Sequence, residues 1–228
     1  MTIKLVSFDL DETLISGLKS FSLLCLLNGK YQEQKVIQEK EDSGEIDYVS
    51  ADYLAAPLLT GLKKSTVAEQ FLLQVKPLKN ISEVIQQLKK QGITTLIITS
   101  GPQAVAEAAA EIWGFDGSFG SEFEIIDGVF TGTLLNFLTA EDKVQHLATY
   151  CQKHNIKPQE CLAVGDGITD IPLFEFCGQS IAINAKAEVK EQATYAIDTC
   201  DLYDILQFIQ ENQINSIDIA SPHYNESV

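Results

Sequence analysis

Apolar and polar positions change their period twice along this chain. Residues 3–8, "IKLVSF", make a short β-rich run suited to a strand, and the next run of that kind comes only at 94–100, "TTLIITS". Between them apolar residues recur at helical spacing through "FSLLCLLNGKYQEQKVIQEKE", "YVSADYLAAPLLTGL", "STVAEQFLLQV" and "SEVIQQLKKQ". Residues 15–76 therefore read as a helical insertion, with Gly44, Pro57 and Gly61 as its breaks or kinks.

Past Ser100 strands and helices alternate, which predicts a parallel sheet covered on both faces. "PQAVAEAAAEIW" is a predicted helix with Pro102 in its first turn, and "FEIIDGVFTGTL" a hairpin turned at Asp127-Gly128. "AEDKVQHLATYCQKH" reads as a helix, "CLAVGD" as a strand, "TDIPLFEFC" as a helix start, "SIAIN" as a strand and "LYDILQFIQEN" as the closing helix. The expected class is α/β: a Rossmann-like parallel core from residues 1–14 and 77–212, with a small helical cap, 15–76, inserted after the first strand. The polar tail, 213–228, is expected to be partly mobile.

At 228 residues and 45% hydrophobic, the chain can bury one good core, or a core with a small satellite. Its net charge of −16, from 32 acidic against 16 basic residues, argues against nucleic acid and anionic membrane surfaces as partners. All 16 basic residues are lysines. Without arginine's planar fork, an anion site must use lysine, backbone N–H groups, hydroxyls or a metal. The most lipophilic stretch, "FSLLCLL", is far shorter than the roughly 20 residues of a membrane-spanning helix. "MTIKLVSFD" carries no secretory pattern, so the expected location is the cytoplasm. Cys25, Cys151, Cys161, Cys177 and Cys200 form no C-x-x-C pair and read as reduced core residues. His146, His154 and His223 lie away from the motifs below and take no role.

Asp9, Ser100 and Asp166 each stand at the end of a strand candidate. In open parallel sheets ligands sit beyond the strands' carboxyl ends, which puts all three on one rim. Asp9 and Asp11 in "VSFDLDETL", with Asp166 and Asp170 in "AVGDGITD", bring four carboxylates there, the last two one helical turn apart. Such a group repels itself unless a hard cation sits within it, and oxygen ligands shared with a phosphate suit Mg²⁺. In "IITSG", the Ser100 hydroxyl and free N–H groups around Gly101 make an anion site, with a plain N-cap serine as the alternative. Lys143 stands in the first turn of its helix, where the dipole disfavours a cation. That placement hints at a role beyond solvation.

Taken in order, Asp9-x-Asp11-x-Thr13, Ser100-Gly101, Lys143 and Gly165-Asp166-Gly167-x-x-Asp170 resemble the motifs of the haloacid dehalogenase (HAD) superfamily, over roughly residues 3–210. The helical insertion after the first motif and the "DGVFTGTL" hairpin make the chain most similar to the phosphoserine phosphatase branch. The resemblance implies a HAD-fold, Mg²⁺-dependent phosphatase that hydrolyses a small phosphorylated metabolite through an aspartyl-phosphate. It assigns Asp9 as nucleophile, Asp11 as general acid and then base, and Thr13 to steadying the loop. Ser100, Gly101 and Lys143 would hold the phosphoryl oxygens. Mg²⁺ would be held by Asp9, the Asp11 carbonyl and Asp166, with Asp170 as outer or direct support. The cap would close over the site and exclude water.

The same resemblance makes two departures visible. The branch reads its substrate's ammonium with an acidic residue soon after the first motif and its carboxylate with a cap arginine; those places fall here at Leu18 and near Ala55. L-phosphoserine is therefore an expected poor substrate, since a buried carboxylate without a charged partner is costly. Thr169 stands where the branch commonly has asparagine, and its hydroxyl can still hydrogen-bond. Leu18, Phe21 and Tyr53, with Leu24 and Tyr48, are the cap's candidates for substrate contact, with the cap's own small core as the alternative. Phosphotransfer to an alcohol acceptor and a catalytically silent ligand-binding role are the alternative functions, and a monomer or homodimer is the expected assembly. A dinucleotide-binding oxidoreductase fails because no G-x-G-x-x-G follows the first strand.

Overall fold

The computed structural model describes residues 2–218, with side chains to residue 211. The first strand, β1 (Leu5–Phe8), is buried at every position, as a strand covered on both faces must be. A two-residue strand, β2 (Ile15–Ser16), leads into α1 (Ser20–Leu27), α2 (Tyr31–Asp42), α3 (Tyr48–Ala55) and α4 (Lys64–Gln74). The chain returns through β3 (Lys76–Pro77), which pairs antiparallel with β2, so the way into the helical segment and the way out lie side by side. Next come α5 (Ile81–Lys90), β4 (Thr94–Pro102), α6 (Gln103–Trp113) and the hairpin of β5 (Gly117–Ile126) and β6 (Val129–Asn136). Then follow α7 (Ala140–His154), β7 (Cys161–Gly165), α8 (Ile171–Phe176), β8 (Gln179–Ile183), α9 (Ala187–Lys190), β9 (Tyr195–Ile197) and α10 (Tyr203–Asp218).

Seven strands form one sheet in the order β6-β5-β4-β1-β7-β8-β9, parallel except for β6. Val6, Phe8, Ile97, Leu162 and Val164 face one helical layer, while Leu5, Leu96, Ile98 and Ala163 face the other. This is the period-2 alternation of strands buried on both sides, and it gives the α/β, Rossmann-like class that the pattern predicts. The hairpin turns at Asp127-Gly128 as expected; both residues are left-handed, with φ 51° and 77°, which a type I′ turn requires.

Some boundaries differ from the pattern. The first helical stretch breaks at Asn28-Gly29, where Gly29 has φ 67°, and becomes two helices. Pro57 lies inside a short 3-10 turn, Ala56–Leu59. Pro102 precedes α6 as its cap, with an extended ψ of 132°, because β4 runs on to that residue. The strands β2, β3 and β9 and the single turn of α9 are too short to leave a periodic signal. α10 continues to Asp218, past the predicted end at residue 212, and the remainder of the tail, with His223, lies outside the described residues. Cys25, Cys151 and Cys161 are buried, but Cys177 is half-buried and Cys200 exposed, which corrects the reading of all five as core. Among the described residues no helix is long and apolar enough to cross a membrane.

The helical segment is fastened to the sheet on its far side. Phe71 of α4 is fully buried and meets Trp113 of α6 edge-on at 5.3 Å. Ahead of α4, backbone bonds join the chain to the outer edge of β6: Gly61 N–H to Phe130 O (2.9 Å), Phe130 N–H to Leu62 O (2.9 Å) and Lys64 N–H to Gly128 O (2.8 Å).

Candidate active site

β1 lies between β4 and β7, and all three end at the same side of the sheet. Asp9 extends β1, its N–H bonded to Val164 O of β7 at 2.9 Å. Ser100 lies near the end of β4, and Asp166 follows β7. These three, with Asp11, Lys19, Gly101, Lys143 and Asp170 among others, line a cleft of about 220 Å³. Residues far apart in sequence thus meet where the sheet order brings strand ends together.

Lys143 enters from α7. Thr139 and Asp142 cap that helix reciprocally, each side chain accepting the other's backbone N–H, and the helix so started carries Lys143 inward to 1% exposure. Its Nζ donates to Asp9 Oδ1 (2.8 Å), to Asp170 Oδ1 (2.7 Å) and, at 3.4 Å, to Thr169 Oγ1. Burial works against the charge, yet Asp170 and Asp9 together hold the ammonium above its usual range. The second oxygen of Asp170 accepts from Gly167 N–H at 3.1 Å. A Cβ on Gly165 would collide with the Asp170 carboxyl, so the glycine before Asp166 makes room for this ion-paired side chain.

Asp9, Asp166 and Asp170 each place an oxygen within 4.8 Å of the others. Thr13 Oγ1 donates to Asp166 Oδ1 at 2.8 Å, while among the described residues Oδ2 of Asp166 and Oδ2 of Asp9 have no hydrogen-bond partner. Burial pushes Asp9 up, Lys143 opposes it, and the charges of Asp170 and Asp166 add to the rise. Burial likewise pushes Asp166 up to about 7, against the pull of the Thr13 hydroxyl. The cluster is therefore short of positive charge, and its hard oxygen donors fit a divalent cation. Asp170, with both oxygens engaged, backs Lys143.

Asp11 stands apart from this cluster. Ser20 N–H donates to its Oδ1 (2.6 Å) and Ser20 Oγ to its Oδ2 (2.5 Å), so the carboxylate turns toward α1. Burial raises its pKa and these two bonds pull it back. Ser100 Oγ is buried and has no partner among the described residues, while Ser100 O accepts from Ser121 Oγ at 2.6 Å. Ser100 is not an N-cap, because α6 begins only at Gln103. Gly101 N–H donates to Thr99 Oγ1 at 3.0 Å, so the free N–H expected there is engaged.

A family model for haloacid dehalogenase-like hydrolases matches residues 6–175. The chain belongs to that family. The phosphoserine phosphatase of Polaromonas sp. is 27% identical over 213 residues, covering 91% of this chain and 90% of that protein. That of Methanocaldococcus jannaschii is 28% identical over 208 residues, covering 91% and 98%. A solved substrate-bound phosphoserine phosphatase complex is similar with a TM-score of 0.76 at 27% identity, over 91% of this chain and 99% of that one. Within the haloacid dehalogenase-like hydrolases the chain thus falls in the phosphoserine phosphatase-like branch, and by class it is a phosphoric monoester hydrolase.

The apolar candidates do not gather on the cleft of this hydrolase. Phe21 is buried against Phe123 at 5.8 Å, Leu24 is fully buried, and Leu18 packs half-buried on the same core. Tyr48 leans on Phe137 at 5.6 Å, and Tyr53 is exposed. Helical spacing marks the residues by which α1 docks, and these are not among the residues that line the cleft. Lys19 reaches the lining instead. An exposed lysine carries no pattern signal, and neither does a buried serine such as Ser20 or Ser121.

Asp52 of α3 is half-buried, and among the described residues its carboxyl has no hydrogen-bond partner. Burial, then the charges of Glu41 and Asp11, push it up to about 7. A carboxyl whose folded value lies above its unfolded value of about 4 favours the folded state at low pH, and that contribution is lost as pH rises through 7. Asp52→Asn removes the titration. Its melting temperature is therefore expected to gain on the parent between pH 4 and pH 7, reaching about 5 °C above it at pH 8, for roughly 2 kcal/mol at a site water still reaches. A difference independent of pH would contradict this.

Proposed function

We propose that this hydrolase releases phosphate from a small phosphorylated metabolite in two steps at Asp9. The observation that carries the reading is the state of Asp9 itself: Lys143 fixes Oδ1 and leaves Oδ2 unbonded, in a cleft shared with the unpartnered hydroxyl of Ser100. Oδ2 attacks phosphorus, and the bond from phosphorus to the leaving alcohol breaks to give an aspartyl-phosphate. Asp11 gives its proton to the leaving oxygen and then takes one from the water that hydrolyses the intermediate. The Ser100 hydroxyl and Lys143 hold the phosphoryl oxygens. Asp9, Asp166 and the Asp11 carbonyl, with Asp170 in support, would hold Mg²⁺, which would supply positive charge against those oxygens.

Residues 15–76 serve as the cap over this cleft. L-phosphoserine, the substrate in the names of the relatives, suits the chain poorly: Leu18 and Ala55 are apolar and packed on the core, and no arginine exists to meet a carboxylate. The charge of −16 supports a protein without nucleic-acid or anionic-membrane partners, and the proposed setting is the cytoplasm, as a monomer or homodimer.

With p-nitrophenyl phosphate the purified protein is expected to release phosphate only when Mg²⁺ is present, to fall silent in EDTA and to recover when Mg²⁺ is restored. For L-phosphoserine, kcat/KM is expected to be at least about tenfold below that of the best small phosphate ester, the least that an unpaired carboxylate costs. Release that survives EDTA would remove the metal from the reading, and efficient turnover of L-phosphoserine would remove the substrate claim.

A further inference from the structure

We infer that Ser20, the first residue of α1, is the positioning residue for the acid–base carboxylate of Asp11, so that the helical segment supplies part of the proton-transfer machinery. The inference rests on the two-step reading above.

Ser20 is fully buried, and it meets both oxygens of one carboxylate, its N–H on Oδ1 and its hydroxyl on Oδ2. Among the described residues Asp11's carboxyl has no other hydrogen-bond partner. The contact is also built from a third side. A Cβ on Gly101 would fall on the Ser20 hydroxyl and lie 3.1 Å from Asp11 Oδ2, so the end of β4 is pared back to let serine and carboxylate meet. Asp11 sits on the loop after β1, whereas Ser20 lies beyond β2, on the helical side of the paired entry and exit strands. One carboxyl is thereby oriented by the first residue of α1, whose preceding neighbour, Lys19, is on the cleft lining.

The chemistry needs that orientation. As the bond from Asp9 Oδ2 to phosphorus forms, the electron pair of the breaking P–O bond goes to the leaving oxygen, which takes the proton from Asp11. A carboxylic acid oxygen can carry its proton on one side and still accept a hydrogen bond on the other. Holding both oxygens removes the rotation that would aim the proton elsewhere, and such positioning is where much of general-acid catalysis originates.

The test compares leaving groups. Nitrophenolate departs without a proton, whereas an alkoxide needs one. kcat/KM, which reports the steps up to formation of the phosphorylated enzyme, is measured for the parent, Ser20→Ala and Ser20→Thr on p-nitrophenyl phosphate and on the best alkyl phosphate that the parent accepts. Ser20→Ala is expected to lower the alkyl ester on the order of thirtyfold and the nitrophenyl ester less than about threefold. Ser20→Thr, which keeps the hydroxyl, should hold the ratio of the two within about threefold of the parent. Each ratio is taken on a single preparation, so any loss of folded enzyme cancels. A purely structural serine would lower both esters alike. An unchanged ratio in Ser20→Ala, or one moved as far in Ser20→Thr, would overturn the inference, while a parent silent on both esters would overturn the two-step reading instead.

Discussion

Lys143→Met is expected to unfold this protein more readily than any other single change in the cleft and to abolish its activity. The ammonium is 1% exposed and bridges Asp9 and Asp170 at 2.8 and 2.7 Å. Methionine fills the volume but leaves two buried carboxylates facing each other with Asp166 beside them. Breaking a buried pair by removing one partner costs about 3–5 kcal/mol, a large share of the roughly 5–15 kcal/mol that holds a domain together. A melting temperature lower by about 10 °C at pH 7 is the expected reading. Part of the loss should return at pH 4.5, because burial already holds Asp9 well above the usual carboxylate range and protonating it takes one of the facing charges away. An inactive variant that melts like its parent at both pH values would mean that the lysine serves chemistry alone. Arginine is not a substitute here, since its planar fork does not fit a space shaped around a single nitrogen.

Asp9→Asn is expected to cost activity without a matching cost in stability. The amide has nearly the same shape and can still accept from Lys143, and it takes one negative charge out of a crowded group. It cannot form an acyl phosphate. Removal of a nucleophile that works with a positioned acid and a charged anion site costs about 10,000-fold or more in kcat, to be read on p-nitrophenyl phosphate beside a thermal melt. Retention of more than about one part in a hundred of the parent's rate would assign the nucleophile elsewhere.

What the sequence makes legible here follows from the range of the interaction that carries it. β1, β4, β7 and β8 are short apolar runs, each buried within its own length, and their pattern is readable locally. The Asp-x-Asp loop and the Gly-Asp-Gly turn advertise themselves because carboxylates after a buried strand are conspicuous. That Lys143 does more than face solvent is legible in its poor fit to a helix start, but its contact with Asp9, 134 residues away, is created by strand order. Ser20 and Ser121 gave no signal, since a serine in an apolar helix or strand looks the same whether its hydroxyl holds a carboxylate or merely fits. Phe21 and Tyr53 show the limit of periodicity from two sides: Phe21 packs α1 against Phe123, whereas Tyr53 stands exposed on α3, and neither lines the cleft.

The bonds between residues 61–64 and β6 also cover an edge of the sheet. β6 is the last strand of the sheet on its side, and an uncovered outer strand offers its backbone as a template for another chain. Gly61, Leu62 and Lys64 occupy that edge along the stretch Gly128 to Phe130. The opposite border is β9, only three residues long, too short to seed much pairing. A chain lacking residues 15–76 would therefore bare a hydrogen-bonding rim along Gly128 to Phe130 and be open to pairing with another chain there.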